Sequence, residues 1–299
     1  MAKKAYVGVN GISKNVKTMY VGVNGVPKKV LKGYVGVNGQ PKLFFSAGVT
    51  PVASGWQSKT WYGLNGIIGN NIWTDGTNIY YSYNANYILD VPTSTWTQVV
   101  FGGLSSFSGA SIWTDGTDTY CSTNDYQYVL NKSTTTWIPK TWTGLTSFQG
   151  IDIWTDGSDI YYSNSTTHYV LNKATSTWST KTWTGRTLFN GRNIWTDGDD
   201  IYMSNGSYQY VLDRGTSNWS VKTWSGFTSI DGTRVWLDGN DVYYSSGSSR
   251  QYILNKATST WVTKTWEGYA GVRGDYVWTD GTDIYFSNGS SLQYVLVRS

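Results

Sequence analysis

The sequence predicts an all-β protein whose main part is a six-bladed β-propeller. Three observations carry this prediction. The word IWTDG at Ile72–Gly76 returns at 112–116, 153–157 and 194–198, and as VWLDG and VWTDG at 235–239 and 277–281. Its tryptophans, 73, 113, 154, 195, 236 and 278, are 40, 41, 41, 41 and 42 residues apart, and a fixed period of this length marks a repeat architecture. Each repeat divides into four short strands, the pattern of a propeller blade. Finally, the first and last repeats are incomplete in complementary ways.

Residues 1–45 carry a shorter repeat. YVGVNG occurs at 6–11, 20–25 and 34–39, spaced by 14 residues. Asn-Gly after an extended apolar run is a strong hairpin signal, because a type I′ turn needs positive φ at both central residues. Three strand–turn–strand units are expected, each second strand bearing lysine. So thin a sheet is marginal alone and calls for partners. Tyr6, Asn10, Tyr20, Asn24, Tyr34 and Asn38 are the expected assembly-anchoring residues. Residues 46–55, SAGVTPVASG, read as a linker.

The third long repeat shows the four strands: DIWT at 152–155, IYYS at 160–163, YVLN at 169–172 and TWSTKTW at 177–183. Asp-Gly makes the first turn, and Asn164–His168 the second connection. Aromatic and β-branched residues cluster without a 3.6-residue period, which disfavours helix. Fourth-strand tryptophans lie at 56, 96, 137, 178, 219 and 261. The propeller thus opens on a lone fourth strand (56–61) and closes on three strands (275–299) lacking a fourth. One shared blade, joining the two, removes both exposed edges. The expected domains are 1–45, a linker at 46–55, and a propeller at 56–299.

The propeller repeats resemble the Kelch family. Leu171-Asn172-Lys173-Ala174-Thr175-Ser176-Thr177-Trp178 keeps that family's spacing to tryptophan, and Asp90 and Asp213 keep its aspartate. The family's Gly-Gly pair is replaced by Ser-Tyr, Ser-Thr, Ser-Asn or Ser-Ser. The YVGVNG module resembles short repeats at the front of structural proteins of bacteriophages and prophages of Gram-positive bacteria. That likeness implies a virion-associated chain, decorating the tail or capsid. Its partners would be other virion proteins held through residues 1–45 as a homo-oligomer, and a glycan or protein receptor on the host surface. The alternative expectation is a free-standing, lectin-like carbohydrate-binding propeller.

Composition narrows the chemistry. The net charge of +4 conceals eight lysines and no acid in residues 1–55, leaving 15 basic and 19 acidic side chains for the rest. A lysine-bearing sheet face suits an acidic protein partner better than nucleic acid, for which this charge density is modest. One cysteine, Cys121, excludes an internal disulfide, and no apolar run is long enough for a signal peptide or membrane span. The chain is expected to be made in the host cytoplasm and to reside in the virion. A single histidine, His168, argues against metal centres rich in histidine, no G-x-S-x-G motif occurs, and Glu267 is the propeller's one glutamate. No enzyme, cofactor or metal is expected; a two-carboxylate glycosidase would have to draw on residues such as Asp231 and Asp275.

The 17 tryptophans all occupy repeat positions, so packing is their expected role. A buried Trp removes roughly 150–250 Å² from water, at most about 4–6 kcal/mol. The Asp-Gly aspartates are expected to cap turns. Recognition then falls to the loops that vary between blades: second-to-third-strand loops rich in Asn, Ser, Gln and Tyr, and fourth-to-first loops with Gly two and eight residues past a third aromatic set, Trp61, Phe101, Trp142, Trp183, Trp224 and Trp266. Both sets lie on one face of a propeller. The candidate ligand-binding residues are Tyr83, Asn84, Asn124, Tyr126, His168, Arg186, Arg192, Tyr208, Arg234, Arg250 and Arg273.

Overall fold

The computed structural model describes residues 55–299 apart from Ser248, Ser249, Ser291 and Ser299, and, before residue 55, the backbone of six strands. The chain divides into two compact units: Met1–Ser54 with Val297–Ser299, and Gly55–Leu296.

In the first unit, three separate antiparallel pairs follow the YVGVNG copies. Tyr6–Val9 pairs Ile12–Asn15, Met19–Val23 pairs Val26–Val30, and Lys32–Val37 pairs Gln40–Ser46. Their registers end on Val9↔Ile12, Val23↔Val26 and Val37↔Gln40. Each register leaves one Asn-Gly between the strands. Tyr6, Tyr20 and Tyr34 lie in strands, while Asn10, Asn24 and Asn38 fall outside the described residues, as does 47–54 of the expected linker.

The second unit is an all-β propeller of six antiparallel sheets. Blade 3 has its strands at Ile153–Thr155, Ile160–Asn164, Thr167–Asn172 and Thr177–Thr180, in sequential order. Blades 1, 2, 4 and 5 repeat this order from first strands at Ile72–Thr74, Ile112–Thr114, Ile194–Thr196 and Val235–Asp238. The sixth sheet takes Val277–Thr279, Ile284–Ser287 and Gln293–Val297 from the C-terminal part and Gly55–Ser58 from the N-terminal part. Outside Gly55–Ser58 lies the two-residue parallel strand Glu267–Gly268.

The core sits between blades rather than within them. Trp113 and Tyr120 of blade 2 pack with Trp142, Phe148, Tyr162, Leu171 and Trp178 around blade 3, and five equivalent clusters repeat this around the ring. Every tryptophan is buried. In the IWTDG set, Trp154 stacks on Tyr161 with centroids 4.5 Å apart and donates its indole N–H to Ser163 Oγ at 2.9 Å. The other five first-strand tryptophans donate to Ser82, Ser122, Ser204, Ser245 and Ser287 in the same way. Members of the other two sets also touch, edge to face where Trp56 meets Trp266 at 6.2 Å and 71°, Trp61 meets Trp96 and Trp224 meets Trp261, and tilted in the other blades. The edge-to-face geometry sets the positive edge of one ring against the negative face of another.

The innermost layer is a ring of six single-turn 3-10 helices, each immediately preceding a first strand: Gly69–Asn71, Gly109–Ser111, Gly150–Asp152, Gly191–Asn193, Gly232–Arg234 and Gly274–Tyr276. Each turn touches the next, and the last touches the first. The leading glycine of each lies against a backbone carbonyl of the turn before it, so close that a Cβ on Gly191 would stand 2.0 Å from the oxygen of Asp152. Only glycine allows that approach.

Candidate binding face

The second-to-third-strand loops and the fourth-to-first loops bond to one another and form a single face. Phe189 N–H donates to Ser165 O at 3.1 Å, Gly247 N–H to Val272 O at 2.9 Å and Gly289 N–H to Ile67 O at 2.7 Å. Ser147 Oγ donates to Asn124 O at 2.8 Å.

One repeat position organises this face, and sequence reasoning missed it. The residue just before the third-strand tyrosine is Asn86, Gln127, His168, Gln209, Gln251 or Gln293. Each reaches a loop carbonyl: Asn86 Nδ2 to Ser105 O at 3.0 Å, Gln127 Nε2 to Phe148 O at 3.2 Å, Gln251 Nε2 to Val272 O at 3.0 Å. Gln209 Nε2 likewise donates to Ile230 O at 3.0 Å, and Gln293 Nε2 to Ser290 O at 2.7 Å. A polar residue with a side-chain N–H in every copy was the available signal.

His168 is therefore a correction. It was expected in an exposed loop, but it lies in the strand Thr167–Asn172, 6% exposed, stacked on Phe189 at 4.4 Å with Nε2 2.9 Å from Thr187 O. It replaces glutamine as a loop tie. Burial pushes its pKa below the ordinary value, outweighing the hydrogen bond to Thr187. Below about pH 6.5 the unfolded chain takes up a proton that the folded chain refuses, so stability falls with pH through that range and levels off at the lower, folded-state pKa. Chemical unfolding of wild type should show this slope between pH 7.5 and 5, and His168→Gln should remove it. An equal slope in the variant would assign it elsewhere.

The remaining expected residues separate into two groups. Tyr83, Tyr126 and Tyr208 stand out into solvent, 50, 54 and 56% exposed. Asn84 and Asn124 are exposed in the loops of Tyr83 and Tyr126, and Arg250 is exposed in the corresponding loop of blade 5. Arg186 is half-buried and lies over the rings of Tyr208 at 5.1 Å and Tyr210 at 5.7 Å. By contrast, Arg192, Arg234 and Arg273 are not loop-tip residues. Arg192 and Arg234 lie within the central turns and Arg273 caps one. Each pairs with an aspartate: Arg192 with Asp152 through Nε at 2.9 Å and Nη2 at 3.1 Å, Arg273 with Asp275 through Nε at 3.1 Å and Nη2 at 2.6 Å, and Arg234 with Asp231 at 4.0 Å. Of the two carboxylates named above for a glycosidase, Asp275 is held by Arg273, and Asp231 caps its turn by accepting from the N–H and Oγ1 of Thr233.

The Asp-Gly aspartates are occupied by structure. Asp156 Oδ1 accepts from the backbone N–H groups of Ser158 and Asp159, and its Oδ2 accepts from Tyr161 Oη at 3.0 Å. Burial first, and the neighbouring Asp75 second, push the equivalent Tyr80 hydroxyl up to about 12, so it stays a donor. Burial likewise raises the Cys121 thiol to about 12, which keeps it from acting as a thiolate. Among the described residues, no three His, Cys, Asp or Glu side chains gather as a metal site.

At the axis, the turn ring opens into a cavity of about 540 Å³, lined by Asn70, Ala110, Ile151, Arg192, Thr233 and Asp275 from the middle of each turn, over Ile72, Ile112 and Ile153.

Fold and face together define a six-bladed β-propeller with a loop-built face and an axial cavity. Neither family models nor curated proteins match the chain. Among solved structures it is similar to YjhT, with 11% identity, a TM-score of 0.55, and coverage of 80% of this chain and 97% of that one. It is also similar to the extracellular domain of the two-component system BT3049 from B. thetaiotaomicron, at 10% identity and a TM-score of 0.49. This chain spans 40% of that domain's length. At such identities the likeness to YjhT concerns the fold alone.

Proposed function

We propose that this chain is a non-catalytic recognition protein of a bacteriophage or prophage-derived particle. In this reading the YVGVNG hairpins attach it to the particle, together with other copies, and the propeller presents its loop face to a glycan or protein on the host surface. The propeller is of Kelch type, and its ring is latched by the strand Gly55–Ser58. One observation carries the recognition reading: the tryptophans repeated around the ring are buried, whereas the exposed rings Tyr83, Tyr126 and Tyr208 sit on one face within loops that differ in sequence. Exposed tyrosines beside small polar residues suit adaptable recognition, since the ring offers area at little entropic cost. Many copies on one particle would multiply a weak single contact.

Two measurements test this. Mass spectrometry of purified particles should find the chain, and deletion of residues 1–54 should prevent its incorporation. Replacing Tyr83, Tyr126 and Tyr208 together by alanine should weaken binding to host cells or arrayed glycans by at least about tenfold, the loss of one or two hot-spot contacts. Tm should not move, because all three rings are exposed. Unchanged binding in the triple variant would end the recognition reading, and particles lacking the chain would end the virion one.

A further inference from the structure

The axial cavity is lined by six equivalent side chains that differ completely in chemistry. By contrast, the first-strand tryptophans and the serines they bond keep one residue type in all six blades, because each packs into the same blade interface. The middle residues of the six turns run, in ring order, Asn70, Ala110, Ile151, Arg192, Thr233 and Asp275. Ala110 and Ile151 make an apolar arc; Arg192, Thr233, Asp275 and Asn70 make a polar one. A small, mostly preformed concave site with an apolar wall and a few placed polar groups is the usual form of a ligand pocket.

Arg192 is its most specific element. Asp152 has no exposed surface, yet its carboxylate is used entirely to hold Nε and Nη2 of Arg192, whose side chain is 39% exposed. Burying a carboxylate is costly, and a surface arginine does not repay that cost through stability alone. What the pairing achieves is orientation: the guanidinium plane is fixed in the cavity wall, with Nη1 left over. A fixed guanidinium edge matches the two oxygens of a carboxylate. Asp275, the cavity's own carboxylate, is separated from Arg192 by the Thr233 turn and is neutralised by Arg273.

We propose that the mouth of the central channel binds a small organic carboxylate with a branched apolar body. The carboxylate pairs with Arg192, and the apolar body lies on Ala110 and Ile151. This site uses no exposed loop tip, so it stands or falls separately from recognition by the outer loops.

The probe is 4-methylpentanoate, titrated into the full chain by calorimetry with saturation-transfer NMR, against its neutral amide. The acid should bind and the amide should bind at least about tenfold more weakly, as expected for losing a hydrogen-bonded charge partner. Ile151→Asp adds a carboxylate at a position that is already 39% exposed, so folding should be spared while the acid binds about tenfold more weakly. The double variant Arg192→Gln/Asp152→Asn removes both charges together, avoids an orphaned buried carboxylate, and should abolish acid binding. Equal affinity for acid and amide would overturn the proposal. So would no binding of the acid at any soluble concentration, or undiminished binding by either folded variant.

Discussion

Replacing Gly191 by alanine is expected to cost more than about 4 kcal/mol, enough to unfold much of the population of a domain of ordinary stability. The new Cβ would stand 2.0 Å from the carbonyl oxygen of Asp152, 2.6 Å from its carbon and 2.9 Å from Trp154 Cδ1. The atoms in the way are mainly backbone. They cannot retreat, because the Gly191 turn is itself held from the other side: the position of a Cβ on Gly232 is 2.2 Å from Asn193 O. Any shift is passed to the next turn of a closed ring. Gly157→Ala is the control. Gly157 has φ of +91° but nothing within 4 Å of its would-be Cβ, so only backbone strain opposes the change, about 1–2 kcal/mol. Urea unfolding of both variants measures the difference. A Gly191→Ala protein no less stable than Gly157→Ala would refute the close-packed ring.

Starting the chain at residue 62 is expected to destroy the propeller, whereas starting it at residue 55 should leave the propeller folded. The seven residues between hold Gly55–Ser58, the fourth strand of blade 6, and two buried tryptophans. Trp56 is 1% exposed and packs with Trp236, Tyr243, Phe286 and Leu296 across the interface of blades 5 and 6. Trp61 packs with Trp96, Trp278 and Tyr285 across the interface of blades 6 and 1. Losing each costs about 3–5 kcal/mol by analogy with large-to-small core changes, so together they rival the stability of a whole domain. The strand Gln293–Val297 would also become an open edge, a template for aggregation. Size-exclusion chromatography and near-ultraviolet circular dichroism distinguish the outcomes. A monomeric, cooperatively melting 62–299 would refute the latch, and an unfolded 55–299 would show that the hairpin module is needed for folding.

Much of this fold was legible because a propeller repeats its physics. Ile72-Trp73-Thr74 and its copies place the first strands, since a tryptophan in each blade must meet the same neighbours. The Asp-Gly turns were readable for the same reason: local bonding of Asp156 to the next backbone N–H groups needs no distant partner. The candidate site was less legible. His168 looked like a loop residue because its neighbours Ser165, Thr166 and Thr167 are polar. Its burial depends on Phe189, 21 residues away, stacking on the imidazole. Arg192 and Arg273 read as free loop cations because their partners, Asp152 and Asp275, look like ordinary surface acids in a linear string.

The sequence by itself determined the blade count, the four-stranded repeat and the structural use of the tryptophans. Periodicity and local turn chemistry suffice for these. Only the tertiary structure decided which polar residues tie loops, that Arg192 is held by the buried carboxylate of Asp152, and what faces the axis. Those outcomes depend on residues about 20 to 40 positions apart being brought together by ring closure. The glycine frame eight residues past Trp61, Phe101, Trp142, Trp183, Trp224 and Trp266 was visible as spacing. That it sets the diameter of a close-packed central ring follows only from the carbonyl each glycine meets in the neighbouring blade.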